Sequence, residues 1–160
     1  MKPQEIESLS FKIIEEEAGT HSFDPGQWQI VRRVIHTTAD FEYLQNIRIH
    51  PQAIERGVAA IRQGKIIITD TNMARVGIRK TELSRFGGKA ECLIRDPEVC
   101  RIASEQGITR AKAAAEAAWT DMNDGIFVVG NTPTALLHLI ELATSMNTYP
   151  APHKSTSVGL

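Results

Sequence analysis

Residues 125–136, Gly-Ile-Phe-Val-Val-Gly-Asn-Thr-Pro-Thr-Ala-Leu, constrain the fold of this 160-residue chain more than any other stretch. The apolar run from Ile126 to Val129 reads as a strand buried on both faces, the pattern of a parallel sheet. A turn follows at Gly130-Asn131. Thr132-Pro133 then opens a helix bearing Leu136, Leu137, Leu139, Ile140 and Leu142, with Thr at the N-cap and Pro at the first helical position. Such a turn leaves backbone N–H groups and the positive end of a helix dipole at the carboxyl edge of the sheet. It is a place for an anion, and an acidic ligand is the expectation.

The rest of the chain alternates in the same way. Ile6, Leu9, Phe11, Ile13 and Ile14 predict a loosely amphipathic first helix. Asp24-Pro25 starts a second, with Trp28, Val31 and Ile35 on one face. A third helix is expected over 51–63 and ends at Gly64, followed by a strand over 65–69. A helix over 72–86 is closed by Gly87-Gly88, and a second strand covers 91–94. Helices over 97–106 and 109–122 lead into the Ile126 strand. This order implies an α/β fold, a three-layer (αβα) Rossmann-like domain on a mainly parallel sheet, with ligands beyond the carboxyl ends of the strands. One domain over 1–160 is the natural reading of the length. Residues 148–157 are rich in Pro, Ser, Thr and His, and one more strand is expected to begin at Ser157.

Composition narrows the function. Apolar residues make up 42% and charged ones 23%, as in ordinary globular proteins, and a net charge of −1 gives no footprint for nucleic acid. The first residues lack the apolar core of a signal peptide, and no apolar run approaches a membrane span. No membrane partner is therefore expected, and the location expected is the cytoplasm. Cys92 and Cys100 are the only cysteines, and without a Cys-x-x-Cys or a His pair no metal site is predicted. Neither a Gly-x-Gly-x-x-Gly fingerprint, a Walker loop nor a Gly-x-Ser-x-Gly elbow is present, which leaves nucleotide cofactors and serine hydrolysis without support.

A few polar residues could carry chemistry. His36 ends the Trp28 helix with Arg33 one turn before it; its imidazole suits proton exchange near neutrality, and equally suits the negative end of a helix dipole. Arg110 opens an alanine-rich helix, where a cation opposes the dipole unless an anion lies near it. It is either the grip on a carboxylate or a tolerated surface residue. Asp70 closes the Ile66 strand and can orient a ligand, or, with Asn72, cap the next helix; capping is the single role expected of it. Ser10 can bond back to its own helix or point into a cleft. His138 is expected to be structural or solvent-facing.

Taken in order, these stretches resemble the precorrin-8X methylmutases, the precorrin isomerases of cobalamin biosynthesis. The resemblance runs through Ile6-Glu-Ser-Leu-Ser-Phe-Lys-Ile-Ile14 with Glu17, Arg33-Val-Ile-His36, Gly64-Lys-Ile-Ile-Ile-Thr-Asp-Thr-Asn-Met73 with Gly77-Ile78, Asp96-Pro-Glu-Val99, Thr109-Arg110 and Gly130-Asn-Thr-Pro-Thr-Ala-Leu136. It spans nearly the whole chain. Thr132 stands where alanine is more usual in the family's turn. Family members continue with a Pro-Val-Gly-Phe-Val turn and a glycine-rich tail after the strand that begins at Ser157, so the chain is expected to lack that C-terminal segment.

The resemblance implies an isomerase that moves a methyl group from C11 to C12 of precorrin-8X or cobalt-precorrin-8, giving hydrogenobyrinic acid or cobyrinic acid. It implies His36 as the group that gives and takes the proton near ring C, with Arg33 and Ser10 against the substrate. Arg110, Asn131 and Thr132 would meet the peripheral acetates and propionates, with Asp70 and Thr134 orienting or capping the turn. It further implies no redox cofactor, a corrinoid macrocycle as the bound partner and a homodimer. The alternatives are a non-catalytic corrinoid- or tetrapyrrole-binding protein and an unrelated α/β protein holding a small phosphate or carboxylate at residues 130–134.

Overall fold

A computed structural model describes residues 2–122 and 124–147; the strand expected at Ser157 and the tail before it lie outside them. The chain gathers into two compact units, one ending at Ile54 and the other beginning at Glu55.

The first unit is helical. Helices α1 (Pro3–Ala18), α2 (Pro25–Thr38) and the short α3 (Tyr43–Asn46) enclose a core of Ile14, Val31 and Ile35, flanked by Phe11, Phe23, Trp28, Phe41 and Leu44. The expected face of α2 is the one that packs: Val31 and Ile35, one turn apart, are fully buried and Trp28 is half-buried. Its start is as predicted. The Asp24 carboxylate accepts from Gly26 and Gln27 N–H at 2.8 and 2.9 Å, the Gln27 side-chain oxygen accepts in turn from Asp24 N–H, and Pro25 needs no partner. Helix α3 was not foreseen, because four residues are too few to show a period.

Helix α4 (Ala53–Arg62) follows, ended at Gly64. The second unit is then built on β1 (Ile67–Thr69), β2 (Ala90–Glu91) and β3 (Ile126–Val128). They form an open, all-parallel sheet in the order β2-β1-β3, with Ile67 opposite both Ala90 and Ile126. Side chains alternate across a strand, yet Ile67, Ile68 and Thr69 are all buried, so both faces of the central strand are covered. The expected α/β class holds. No helix of the described residues is long and apolar enough to cross a membrane.

Between β1 and β2 the predicted single helix over 72–86 is two, α5 (Asn72–Gly77) and α6 (Lys80–Ser84). Ile78 between them is extended (φ −76°, ψ 130°). Gly77 is costly inside a helix, and it lies between two β-branched residues, Val76 and Ile78, which also disfavour the helix interior. The strand expected over 91–94 pairs only at Ala90–Glu91.

Helices α7 (Pro97–Gln106), α8 (Arg110–Asp121) and α9 (Pro133–Asn147) complete the unit. The alanines of α8 explain its place. Ala113 and Ala114 pack with Val99 and Ala103 of α7, Ala118 with Ile68 of the sheet, and Ala115 with Ala135 and Leu139 of α9. A helix covered from several sides needs side chains small enough for each neighbour to approach. The turn after α4 is equally tight. Gly64 has φ +68°, and a Cβ there would stand 2.5 Å from the Phe86 carbonyl oxygen. Gly64→Ala is therefore expected to cost about 2 to 3 kcal/mol, read from the shift of the urea unfolding midpoint.

Candidate active site

In the first unit, packing of α1 on α2 brings together three residues singled out in the sequence. Ser10 Oγ lies 3.0 Å from His36 Nδ1. Arg33, one turn before His36, forms an ion pair with Glu7 of α1. Phe11 binds the group together: its ring meets the His36 ring edge-on with centroids 5.2 Å apart, and the guanidinium carbons of Arg32 and Arg33 stand 4.3 and 4.7 Å from its centroid. Arg32 is itself paired with Glu15 and donates to Gln29 at 2.7 Å. Both cations thus rest on an aromatic face, an arrangement stabilised by the ring quadrupole.

This geometry has chemical consequences. A hydroxyl both donates and accepts, so Ser10 can hold Nδ1 in either tautomer. With Nδ1–H donating to Oγ, Nε2 becomes the position where a proton can be added or removed. Nε2 makes no hydrogen bond to any described residue, and His36 is exposed. The imidazole is oriented on one side and open on the other, as a proton-transferring group needs.

The second unit holds the turn at residues 130–132, and there the anion is the protein's own. Asp70, at the end of β1 and 4% exposed, accepts from the backbone N–H groups of Gly130 (2.9 Å), Asn131 (3.1 Å) and Thr132 (2.9 Å). The Thr132 hydroxyl bonds the same carboxylate. Burial alone would raise the Asp70 pKa, but the hydrogen bonds from Gly130, Asn131 and Thr132 together outweigh it and hold the carboxyl below its ordinary value. Gly130 permits this approach, since a Cβ would come within 3.1 Å of Ala74 Cβ and 3.3 Å of Asp70 Oδ1. The N–H groups expected to await a ligand are therefore already occupied.

Asp70 does cap a helix, though a different one from that expected. It holds the entry to α9 across the sheet, while α5 is capped by Thr71, whose hydroxyl accepts from Ala74 N–H at 3.2 Å. Asn72 instead accepts from Arg75 Nε at 3.1 Å. Thr132 is the N-cap of α9 in backbone terms, its carbonyl accepting from Ala135 and Leu136 N–H. Asn131 and Thr134 are exposed, and Thr132 is half-buried.

Arg110 is the first residue of α8, behind the N-cap Thr109, whose hydroxyl accepts from Lys112 N–H at 3.2 Å. The end of α8 at Asp121 feeds into β3 within a few residues, so its C terminus sits at the amino edge of the parallel sheet and its N terminus at the carboxyl edge. Arg110 thus shares that edge with Asp70, Asn131 and Thr132. It is exposed and makes no hydrogen bond or ion pair with the described residues.

Two participants, and the partners of a third residue, escaped sequence reasoning. Glu7 and Phe11 lie on α1 without any signal beyond helical spacing to one another. His138 is buried and structural, one of the two roles foreseen, but it has partners: Nε2 lies 2.8 Å from Glu116 of α8 and Nδ1 3.0 Å from Glu141. Glu141 three residues on, on the same helical face, was the available clue.

Comparison with known proteins identifies the family. The family model described as precorrin-8X methylmutase (CbiC) matches residues 5–159. The cobalt-precorrin-8 methylmutase of Priestia megaterium is 43% identical over 142 residues, covering 89% of this chain and 63% of the relative. That of Leptospira interrogans is 41% identical over 156 residues, covering 96% and 71%. Among solved structures, the precorrin-8X methylmutase of Thermus thermophilus superposes with a TM-score of 0.80 at 41% identity, covering 89% of this chain and 69% of that one. The chain thus spans 63% to 71% of the length of these relatives. With the family model matched almost end to end, the chain belongs to the precorrin-8X methylmutase family.

Proposed function

We propose that this chain is an isomerase that moves the methyl group of precorrin-8X or cobalt-precorrin-8 from C11 to C12, yielding hydrogenobyrinic or cobyrinic acid. The observation that carries the proposal is the 3.0 Å contact between Ser10 and His36, which orients an otherwise open imidazole in a chain of this family. His36 Nε2 lends a proton to the macrocycle near ring C. The bond from the methyl group to C11 breaks as the bond to C12 forms, and the proton returns to Nε2, so composition is unchanged. Ser10 acts through Nδ1 and lies against the substrate, as does Arg33.

In the second unit, Arg110 meets a peripheral carboxylate as a free cation at the sheet's carboxyl edge. Since Asp70 takes the turn's N–H groups and the Thr132 hydroxyl proton, Asn131 contributes to binding through its side-chain amide, while Thr132 contributes by fixing the turn on Asp70. Thr134 lies in the first turn of the same helix, beside the polar groups that face the ligand. The working assembly is a homodimer, as family members build their broad cleft, and it acts in the cytoplasm.

An absorbance titration and time course with precorrin-8X tests the proposal. The expected result is a spectral change that grows with time at substoichiometric protein. An immediate, stoichiometric change without turnover would establish a corrinoid-binding protein in its place.

A further inference from the structure

Arg32 and Arg33 are neighbours in sequence, and both guanidinium groups rest against the single ring of Phe11, 4.3 and 4.7 Å from its centroid. Two cations crowded on one ring need compensating charge. Helix α1 supplies it from one face: Glu7, Phe11 and Glu15 recur every four residues, with Glu7 paired to Arg33 and Glu15 to Arg32. What separates the pairs is exposure of the cation. The Arg32 side chain is 15% exposed and Arg33 47%, whereas the carboxylates Glu15 and Glu7 are alike at 47% and 44%. A guanidinium screened from solvent keeps its partner, but a half-exposed ion pair is weak and either side chain can swing away.

From this contrast we propose that Glu7 is a placeholder. It is an internal carboxylate that occupies Arg33 until a ligand carboxylate displaces it, and it competes with the ligand for that guanidinium. The proposal rests on the reading of the ligand as a carboxylated macrocycle and adds a rule of selection. Glu7 is tethered to its cation, so its effective concentration exceeds that of any free monocarboxylate in dilute solution. Only a ligand anchored elsewhere by further groups delivers its carboxylate on comparable terms. Arg33 is thereby filled less readily by small monoanions than by polycarboxylates, and Glu7 sharpens that preference by a small factor.

The test uses the full chain and Glu7→Gln, which keeps the side chain's size and removes its charge. Two probes are used: hydrogenobyrinic acid, followed by absorbance, and acetate, followed by the Arg33 Nε–H resonance. Glu7→Gln should bind hydrogenobyrinic acid about two- to fivefold more tightly than the parent chain, the range expected when a surface ion pair no longer competes. It should also let acetate shift the Arg33 signal at concentrations about two- to fivefold lower than the parent requires. Glu15→Gln should do neither, because Arg32 is screened.

Weaker or unchanged binding of both probes to Glu7→Gln would overturn the proposal, and so would an equal gain from Glu15→Gln. If only acetate responds and hydrogenobyrinic acid binds neither protein, the placeholder stands and the macrocycle reading falls.

Discussion

His36→Ala is expected to lower turnover of precorrin-8X by about 10²- to 10⁴-fold if the proposed isomerisation uses its imidazole, the usual contribution of a positioned acid–base group, while corrinoid binding changes only by a small factor. The split follows from where the imidazole sits. It is exposed, held at Nδ1 by Ser10 and edge-on to Phe11, so its removal deletes the proposed proton donor without emptying the core beneath it, where Val31 and Ile35 are the buried residues of α2. Arg33, the proposed substrate contact, stays paired with Glu7 and stacked on Phe11. Single-turnover absorbance kinetics beside an equilibrium titration with hydrogenobyrinic acid separate the two effects. Turnover equal to that of the parent would remove His36 from the mechanism, and equal losses of turnover and binding would make it a binding residue.

Ser10→Ala distinguishes orientation from chemistry at the same site. If the hydroxyl serves to hold Nδ1, its loss lowers turnover by less than the loss of the imidazole and alters the pH profile of the rate. The imidazole remains but is no longer fixed in one orientation.

Why some of this was readable from the sequence and some was not comes down to distance along the chain. The start of α2 is a local matter, decided by Asp24, Pro25 and Gln27 within four residues, and the buried pair Val31 and Ile35 follows from helical period alone. The Ile126 strand and the opening of α9 are local in the same sense. Local rules also contained the break at Gly77-Ile78, but its cost is small enough that periodicity outweighed it on paper and not in the fold.

The candidate site depends on pairings no period encodes. Ser10 and His36 are 26 residues apart, and so are Glu7 and Arg33; Asp70 reaches 60 to 62 residues ahead. His36 and Ser10 entered the sequence reading together only through resemblance to a family. The expectation of an anion at the turn was sound in its electrostatics and mistaken about its source. A helix N terminus preceded by free N–H groups attracts the nearest carboxylate, and the fold had already placed one at the end of the adjacent strand.

That carboxylate carries the second large effect. Asp70→Ala is expected to destabilise the chain by about 2 to 4 kcal/mol, because three N–H groups and the Thr132 hydroxyl lose their common acceptor at once. Exposure of Gly130 and Asn131 lets water replace part of the loss, which keeps the figure below the sum of its bonds. Asp70→Asn should lose less, since its carbonyl oxygen still accepts, although its amide now faces donors.

Acid discriminates further. The folded-state pKa of Asp70 is depressed, so between the folded and unfolded values the unfolded chain binds more protons. The stabilisation is therefore complete above the ordinary carboxylate value of 3.8 and drains away as the pH falls through the lower, folded value. Urea midpoints measured from about pH 7 to about pH 3 should show the parent losing its advantage over Asp70→Asn only at the acidic end. A constant gap across that range would mean that the ionised carboxylate is not what holds the turn, and the entry to α9 would then rest on packing at Ala135 and Leu139.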